Sequence, residues 1–164
     1  MKKTLTTLAL MALFAAPALA EGDAAAGAKV FNQCQTCHVV VNDAGETLAG
    51  KKAKTGPNLY AVIGRTAGTY PDFKYGDSMI AAGAAGLVWD EALITEYVQD
   101  PTGFLKTRLD DKSAKGLMSF KLKKPDDAAN VAAFLASLAP AADAAAAPAA
   151  EGEAAPAADA APAP

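Results

Sequence analysis

Both cysteines of the chain and its only histidine fall within five residues, Cys34-Gln35-Thr36-Cys37-His38. Two thiols at this spacing serve three chemistries: a redox disulfide, half of a zinc site, or a pair of thioether bonds to haem. A thioredoxin-like pair opens a helix that follows a strand. Here the pair closes a helical pattern, and no βαβ alternation surrounds it. Zinc takes about four protein ligands; with no further Cys or His in the chain, two would have to be carboxylates. A structural disulfide across two intervening residues closes a very short loop and stabilises little. Haem attachment uses every member of the group. The thiols add to two vinyl groups, and the histidine that follows binds the iron from one side.

The lone histidine fills one of two axial positions. Beyond the first twenty residues only Met79 and Met118 carry a thioether. Met79 lies beside Ile80 in a short helical stretch, the ordinary setting of a packing methionine. Met118 lies in Lys115-Gly116-Leu117-Met118-Ser119-Phe120, a loop late in the chain that can cross the face opposite His38. Met118 is therefore the expected second ligand.

The residues that must position this group occupy the middle of the chain. Lys2 and Lys3, an apolar run from Leu5 to Leu19, and Ala18-Leu19-Ala20 have the anatomy of a cleaved secretory signal peptide over 1–20. The run is too short for a membrane span, and no second long apolar run follows. The expected product is a soluble protein of an exported, oxidising compartment, the periplasm. From 139 to 164 the chain is almost wholly alanine and proline, with Asp143, Glu151, Glu153 and Asp159 as its only charges. Nothing there can offset the entropy of ordering, so a disordered acidic tail is expected. Residues 21–138 remain as one small domain. Its thirteen Lys and Arg against fourteen Asp and Glu leave about −1, and the tail takes the exported chain to about −5. Five lysines and no acid fall between Lys112 and Lys124. No basic run interleaved with aromatics exists, which argues against nucleic acid as a partner.

Helical signals dominate the domain. Asp23 caps an expected helix over 24–33, Asp77 a short one over 78–82, and Asp90 another over 91–99, closed by Pro101. Pro125, with Asp126 and Asp127 behind it, opens a last helix whose inner face carries Val131, Phe134, Leu135 and Leu138. Segments 39–72 and 103–121 are glycine-punctuated and read as loops, and no run alternates as a strand would. The expectation is an all-α domain of few helices and long loops. Loops of that length are uncommon unless they wrap something.

These residues resemble the class I cytochromes c, most closely the bacterial soluble cytochrome c2 group. The similarity runs from about Gly22 to Leu138. It rests on Cys34 to His38, then Lys54-Thr55-Gly56-Pro57-Asn58-Leu59-Tyr60, Gly64-Arg65, Phe73-Lys74-Tyr75, Trp89, Tyr97 and Met118-Ser119-Phe120, in that order. The resemblance implies a single-domain class I fold around one haem c. It implies that the Pro57 carbonyl accepts the Nδ1 hydrogen of His38, that Arg65, Tyr75 and Trp89 bond the haem propionates, and that Tyr97 lies near the methionine sulfur. It also implies that Gly27 and Phe31 meet Phe134 and Leu135 where the first and last helices cross. The chain departs from many relatives just before the methionine. Leu117 and Gly116 stand where a lysine and a hydroxyl residue are common.

A haem with both axial sites filled by His38 and Met118 has no position for substrate, and methionine ligation favours a high potential. That describes an electron carrier and not an enzyme. The resemblance names a cytochrome bc1 complex as donor and a photosynthetic reaction centre or terminal oxidase as acceptor. Docking would use Lys112, Lys115, Lys121, Lys123 and Lys124, with Lys51, Lys52 and Lys54 near them, on an expected monomer. A peroxidase or a gas-binding sensor is the rival, and either needs a vacant distal site. Deleting residues 140–164 is expected to leave the absorption spectrum, reduction potential and thermal midpoint nearly unchanged, because nothing in that stretch can pack. A melting temperature that falls sharply in the truncated protein would contradict this.

Overall fold

The computed structural model of the protein describes residues 22–139. The leader expected over 1–20, and all but the first residue of the expected tail, lie outside the described residues. Helix α1 (Ala24–Val30) starts at Asp23, whose Oδ1 accepts from the amides of Ala25 and Ala26 at 2.8 and 3.1 Å. It tightens into a 3₁₀ turn, Phe31–Gln33, that delivers the chain to Cys34. The sequence places this helix correctly at both ends.

A short hairpin follows that the sequence reading does not anticipate. Strand β1 (Val39–Val41) pairs antiparallel with β2 (Thr47–Gly50), Val39 opposite Gly50 and Val40 opposite Ala49, with a bulge between Val40 and Val41. Three consecutive β-branched residues favour extended backbone whether or not polar residues alternate with them. Val40 is fully buried beneath the pair.

Three helices make the second half of the frame. Helix α2 (Asp77–Ala84) has Gly76 at its cap position, so Asp77 is a first-turn acid on the helix dipole and not the cap. Helix α3 (Glu91–Gln99) is capped as expected, Asp90 accepting from Leu93 at 2.6 Å. Helix α4 (Pro101–Leu109) overturns the loop reading over 103–109, while 110–121 is loop as expected. Asp100 caps it through the Gly103 amide, and Pro101 sits at its first position, where a missing N–H costs nothing. The proline that was read as ending α3 begins the next helix. Two buried side chains on α4, Phe104 and Leu105, reach the core.

Helix α5 (Pro125–Ser137) opens on Pro125 with Asp126 and Asp127 in its first turn and crosses α1. At the crossing the backbones touch. A Cβ on Gly27 would lie 1.9 Å from the Asn130 carbonyl oxygen and 2.7 Å from the Phe134 Cβ. Asn130 Oδ1 also accepts from the Asp23 amide at 2.7 Å, and the Phe31 and Phe134 rings tilt together with centroids 5.5 Å apart. The implied meeting of first and last helices is present. No helix among the described residues is long and apolar enough to cross a membrane.

The core is thin. Of fifteen buried hydrophobic residues among those described, five are alanines, so the packed layer between α1, α3 and α5 cannot by itself hold so much loop. Stability then concentrates where backbones meet. Gly27→Ala should force α1 and α5 apart and cost about 1–3 kcal/mol or more, as overpacking does. Denaturant unfolding followed by helical circular dichroism measures it; a change under about 0.5 kcal/mol would mean the crossing yields freely.

Candidate haem site

A cavity of about 750 Å³ lies at the centre of the domain, within the range of sites that enclose one organic ligand. On one wall is the attachment turn. The amides of Cys37 and His38 both bond the Cys34 carbonyl, at 3.0 and 2.9 Å, so a single tight turn carries both thiols and the imidazole to the cavity. Both cysteines are free and half-buried. Burial, and secondarily the neighbouring Cys37, pushes the Cys34 thiol up to about 11. Metals bind the thiolate, and the described residues contain no group of three or more Cys, His, Asp or Glu that could hold a metal ion. The donor set does not fit zinc. It fits a flat apolar group bonded through sulfur.

His38 is oriented by a backbone carbonyl. Its Nδ1 lies 2.9 Å from the Pro57 carbonyl oxygen, to which it donates. Burial holds the imidazole pKa below its ordinary value, which favours the neutral ring. With the proton on Nδ1, the Nε2 lone pair is free for iron. Gly56 makes the approach possible. A Cβ there would stand 2.3 Å from His38 Cε1 and 2.6 Å from Nδ1, and the Gly56 amide bonds the Cys37 carbonyl at 2.8 Å.

The rest of the wall gathers the other expected residues. Pro57, Arg65, Tyr75, Trp89, Tyr97 and Met118 all line the same cavity as Cys34, Cys37 and His38. Met79 lines it too, from α2, so position alone leaves two thioethers in reach. Arg65 donates to the carbonyls of Asn58, at 3.1 Å, and Tyr60, and its guanidinium lies over the Tyr70 ring. Burial lowers its pKa, and the nearby Tyr75 and Tyr70 offset part of that. Tyr97 is driven up to about 12 by burial first and by Tyr75 second, so its hydroxyl remains a proton donor. Tyr97 and Trp89 pack at 5.1 Å between ring centroids.

Two residues that buttress the wall, Phe104 and Asn58, have no role assigned in the sequence reading. Phe104 stacks on Trp89 at 5.8 Å and meets Tyr97 edge-on at 5.5 Å, completing a three-ring cluster. The Asp100-Pro101 pair could have announced it, as a cap followed by a first-turn proline. Asn58 ties the wall to the hairpin: its Oδ1 accepts from Val41 and Tyr60, and its Nδ2 donates to the Val41 carbonyl at 2.7 Å. Its place inside the Lys54–Tyr60 stretch was a signal. Of the lysines, Lys54, Lys74 and Lys115 line the cavity, while Lys112, Lys123 and Lys124 are exposed elsewhere on the surface. Lys121 pairs with Asp100 at 2.7 Å.

No protein-family model matches the chain. It is, however, 62% identical over 142 residues to cytochrome c2 of Cereibacter sphaeroides, covering 85% of this chain and 98% of that protein. It is 56% identical over 139 residues to cytochrome c2 of Rhodobacter capsulatus, covering 84% and 98%. The fold matches the crystal structure of cytochrome c2 from Rhodobacter sphaeroides with a TM-score of 0.71 and 63% identity, over 72% of this chain and 97% of that one. Near full-length similarity at this identity, joined to an attachment turn and a cavity that fit haem, is decisive. The chain belongs to the cytochrome c2 family, as a class I cytochrome c with one covalently attached haem c, an electron carrier and not an enzyme.

Proposed function

We propose that the protein is a periplasmic shuttle whose haem is ligated by His38 and Met118. It would take single electrons from a cytochrome bc1-type reductase and pass them to a photosynthetic reaction centre or a terminal oxidase. The observation that carries this reading is the convergence on one cavity of a histidine with its Nδ1 committed to Pro57 and of a methionine on a late loop. When bound, haem supplies a one-electron iron couple whose potential methionine ligation raises.

The chain's own residues do the rest. Cys34 and Cys37 hold the group through thioethers, and the Pro57 carbonyl keeps the His38 ring in one orientation and makes it a better donor. Arg65, Tyr75 and Trp89 would bond the propionates, whose charge is costly to bury unpaired. Trp89 and Tyr97 present aromatic surface to the cavity and Phe104 packs against both. With His38 and Met118 both holding the iron, a low-dielectric surround would let the charge change with little rearrangement.

Docking falls to exposed lysines. Lys54, Lys74 and Lys115 stand at the cavity, with Lys112, Lys123 and Lys124 exposed on the stretch of chain that carries Lys115. Such a patch steers an acidic partner and keeps the complex short-lived. Lys121 contributes less, since Asp100 already offsets its charge. Charge reversal at Lys115 or Lys112 should slow association with the acceptor several-fold at low salt. The difference should vanish as ionic strength approaches about 1 M, where screening reaches roughly 3 Å. A deficit that persists at high salt would point to a lost contact instead of a lost field.

The ligand assignment has a separate test. Met118→Ala should keep the haem attached and lower the reduction potential substantially. It should also abolish the near-infrared sulfur-to-iron band and admit carbon monoxide to the ferrous form. Met79→Ala should keep the band and cost only packing, up to about 2–5 kcal/mol where such a side chain is fully buried. The opposite pattern would exchange their roles.

A further inference from the structure

Between two buried anchors, Ala114 and Leu122, the chain that carries Met118 runs along the cavity, with Leu117, Ser119 and Phe120 on its lining. Its approach to the methionine, through Lys115 and Gly116, offers no apolar side chain to pack. A stretch of that kind is held by its polar bonds or it moves. Two such bonds are placed with some economy. The Lys115 amide donates to Ser78 Oγ at 3.0 Å, and the next amide, of Gly116, donates to Thr102 Oγ1 at 3.2 Å. Ser78 is in the first turn of α2 and Thr102 in the first turn of α4, two helices in mutual contact. The backbone is thus strapped across the junction of two helix starts, just before the methionine. Gly116 fits closely there: an added Cβ would stand 3.3 Å from both Pro101 and Thr102 Oγ1. Farther along, the Leu122 amide bonds the Val98 carbonyl at 2.8 Å. The Lys121–Asp100 pair is about half exposed on both partners, and such a pair holds little.

We propose that the hydroxyls of Ser78 and Thr102 are positioning groups that latch the loop and so set how readily Met118 leaves the iron. The proposal rests on the Met118 ligation argued above. With the latch closed, residues 115–116 cannot swing outward, and a competing base reaches the sixth position only when both amides let go. Removing one hydroxyl raises the open population by the worth of one neutral hydrogen bond, about fivefold. The apparent affinity of an outside ligand rises by the same factor, because it scales with the fraction of chain competent to bind.

Imidazole titration of the ferric holoprotein reads this directly. Thr102→Val and Ser78→Ala should each bind imidazole about fivefold tighter than the parent. Thr102→Ser, which keeps an oxygen in place, should bind it as the parent does. In the absence of imidazole all three variants should retain the near-infrared sulfur-to-iron band. If the parent itself lacks that band, the ligation reading fails, and the latch with it. If the band is present throughout but Thr102→Val and Ser78→Ala bind imidazole within about twofold of the parent, the latch is overturned and the ligation stands. A lowered unfolding midpoint with unchanged imidazole affinity overturns it equally, since that is what a merely structural hydroxyl would give.

Discussion

The structure is governed by the volume at its centre. About 750 Å³ of space lies among side chains that cannot fill it, and one third of the buried hydrophobic residues among those described are alanine. A domain is stable by only about 5–15 kcal/mol, so apolar walls of this extent need a partner to pack against. The haem is therefore as much the core as any helix, and the long loops are the length of chain needed to surround a flat object. Covalent attachment suits this arrangement, because a core that can dissociate would take the fold with it.

The two faces of the cavity are built on different principles. On the His38 side the chain is tied at every step. The turn from Cys34 to His38 is closed by backbone bonds, Gly56 is pressed beneath the imidazole, and Pro57 fixes its tautomer. On the Met118 side two successive amides of the loop, Lys115 and Gly116, are held by the Ser78 and Thr102 hydroxyls. Under the proposed ligation, one ligand would be set by packing and covalent geometry and the other by a few polar contacts. That asymmetry would leave the distal ligand adjustable by residues that never touch the haem.

Much of the site could be read from the chain because its chemistry needs rare residue types. A single histidine and two cysteines leave few alternatives, and Asp23 and Asp90 mark helix starts by a local bond that depends on almost nothing distant. What escaped depends on context. Asp100-Pro101 serves equally well to stop one helix or to start another, and only the burial of Phe104 and Leu105 against the aromatic cluster selects the start. Asp77 looks like a cap until Gly76 supplies the extended backbone one residue earlier. The hairpin from Val39 to Gly50 is short, bulged and half-covered, so its pairing is set by the wall it leans on more than by alternation. Met79 and Met118 both reach the cavity, so the preference for Met118 rests on its place in a late loop and not on nearness alone.

The crossing of α1 on α5 has a consequence for the order of assembly. It joins positions 107 residues apart in the chain, Asp23 and Asn130. Contacts so distant in sequence carry a loop-closure cost that must be met before they return any stability. Cys34 and Cys37 follow directly on α1, on the early side of that closure. A chain that emerges amino end first thus presents both thiols before the helix that crosses α1 exists. The topology leaves an interval in which the attachment turn is open to modification while the crossing has yet to form.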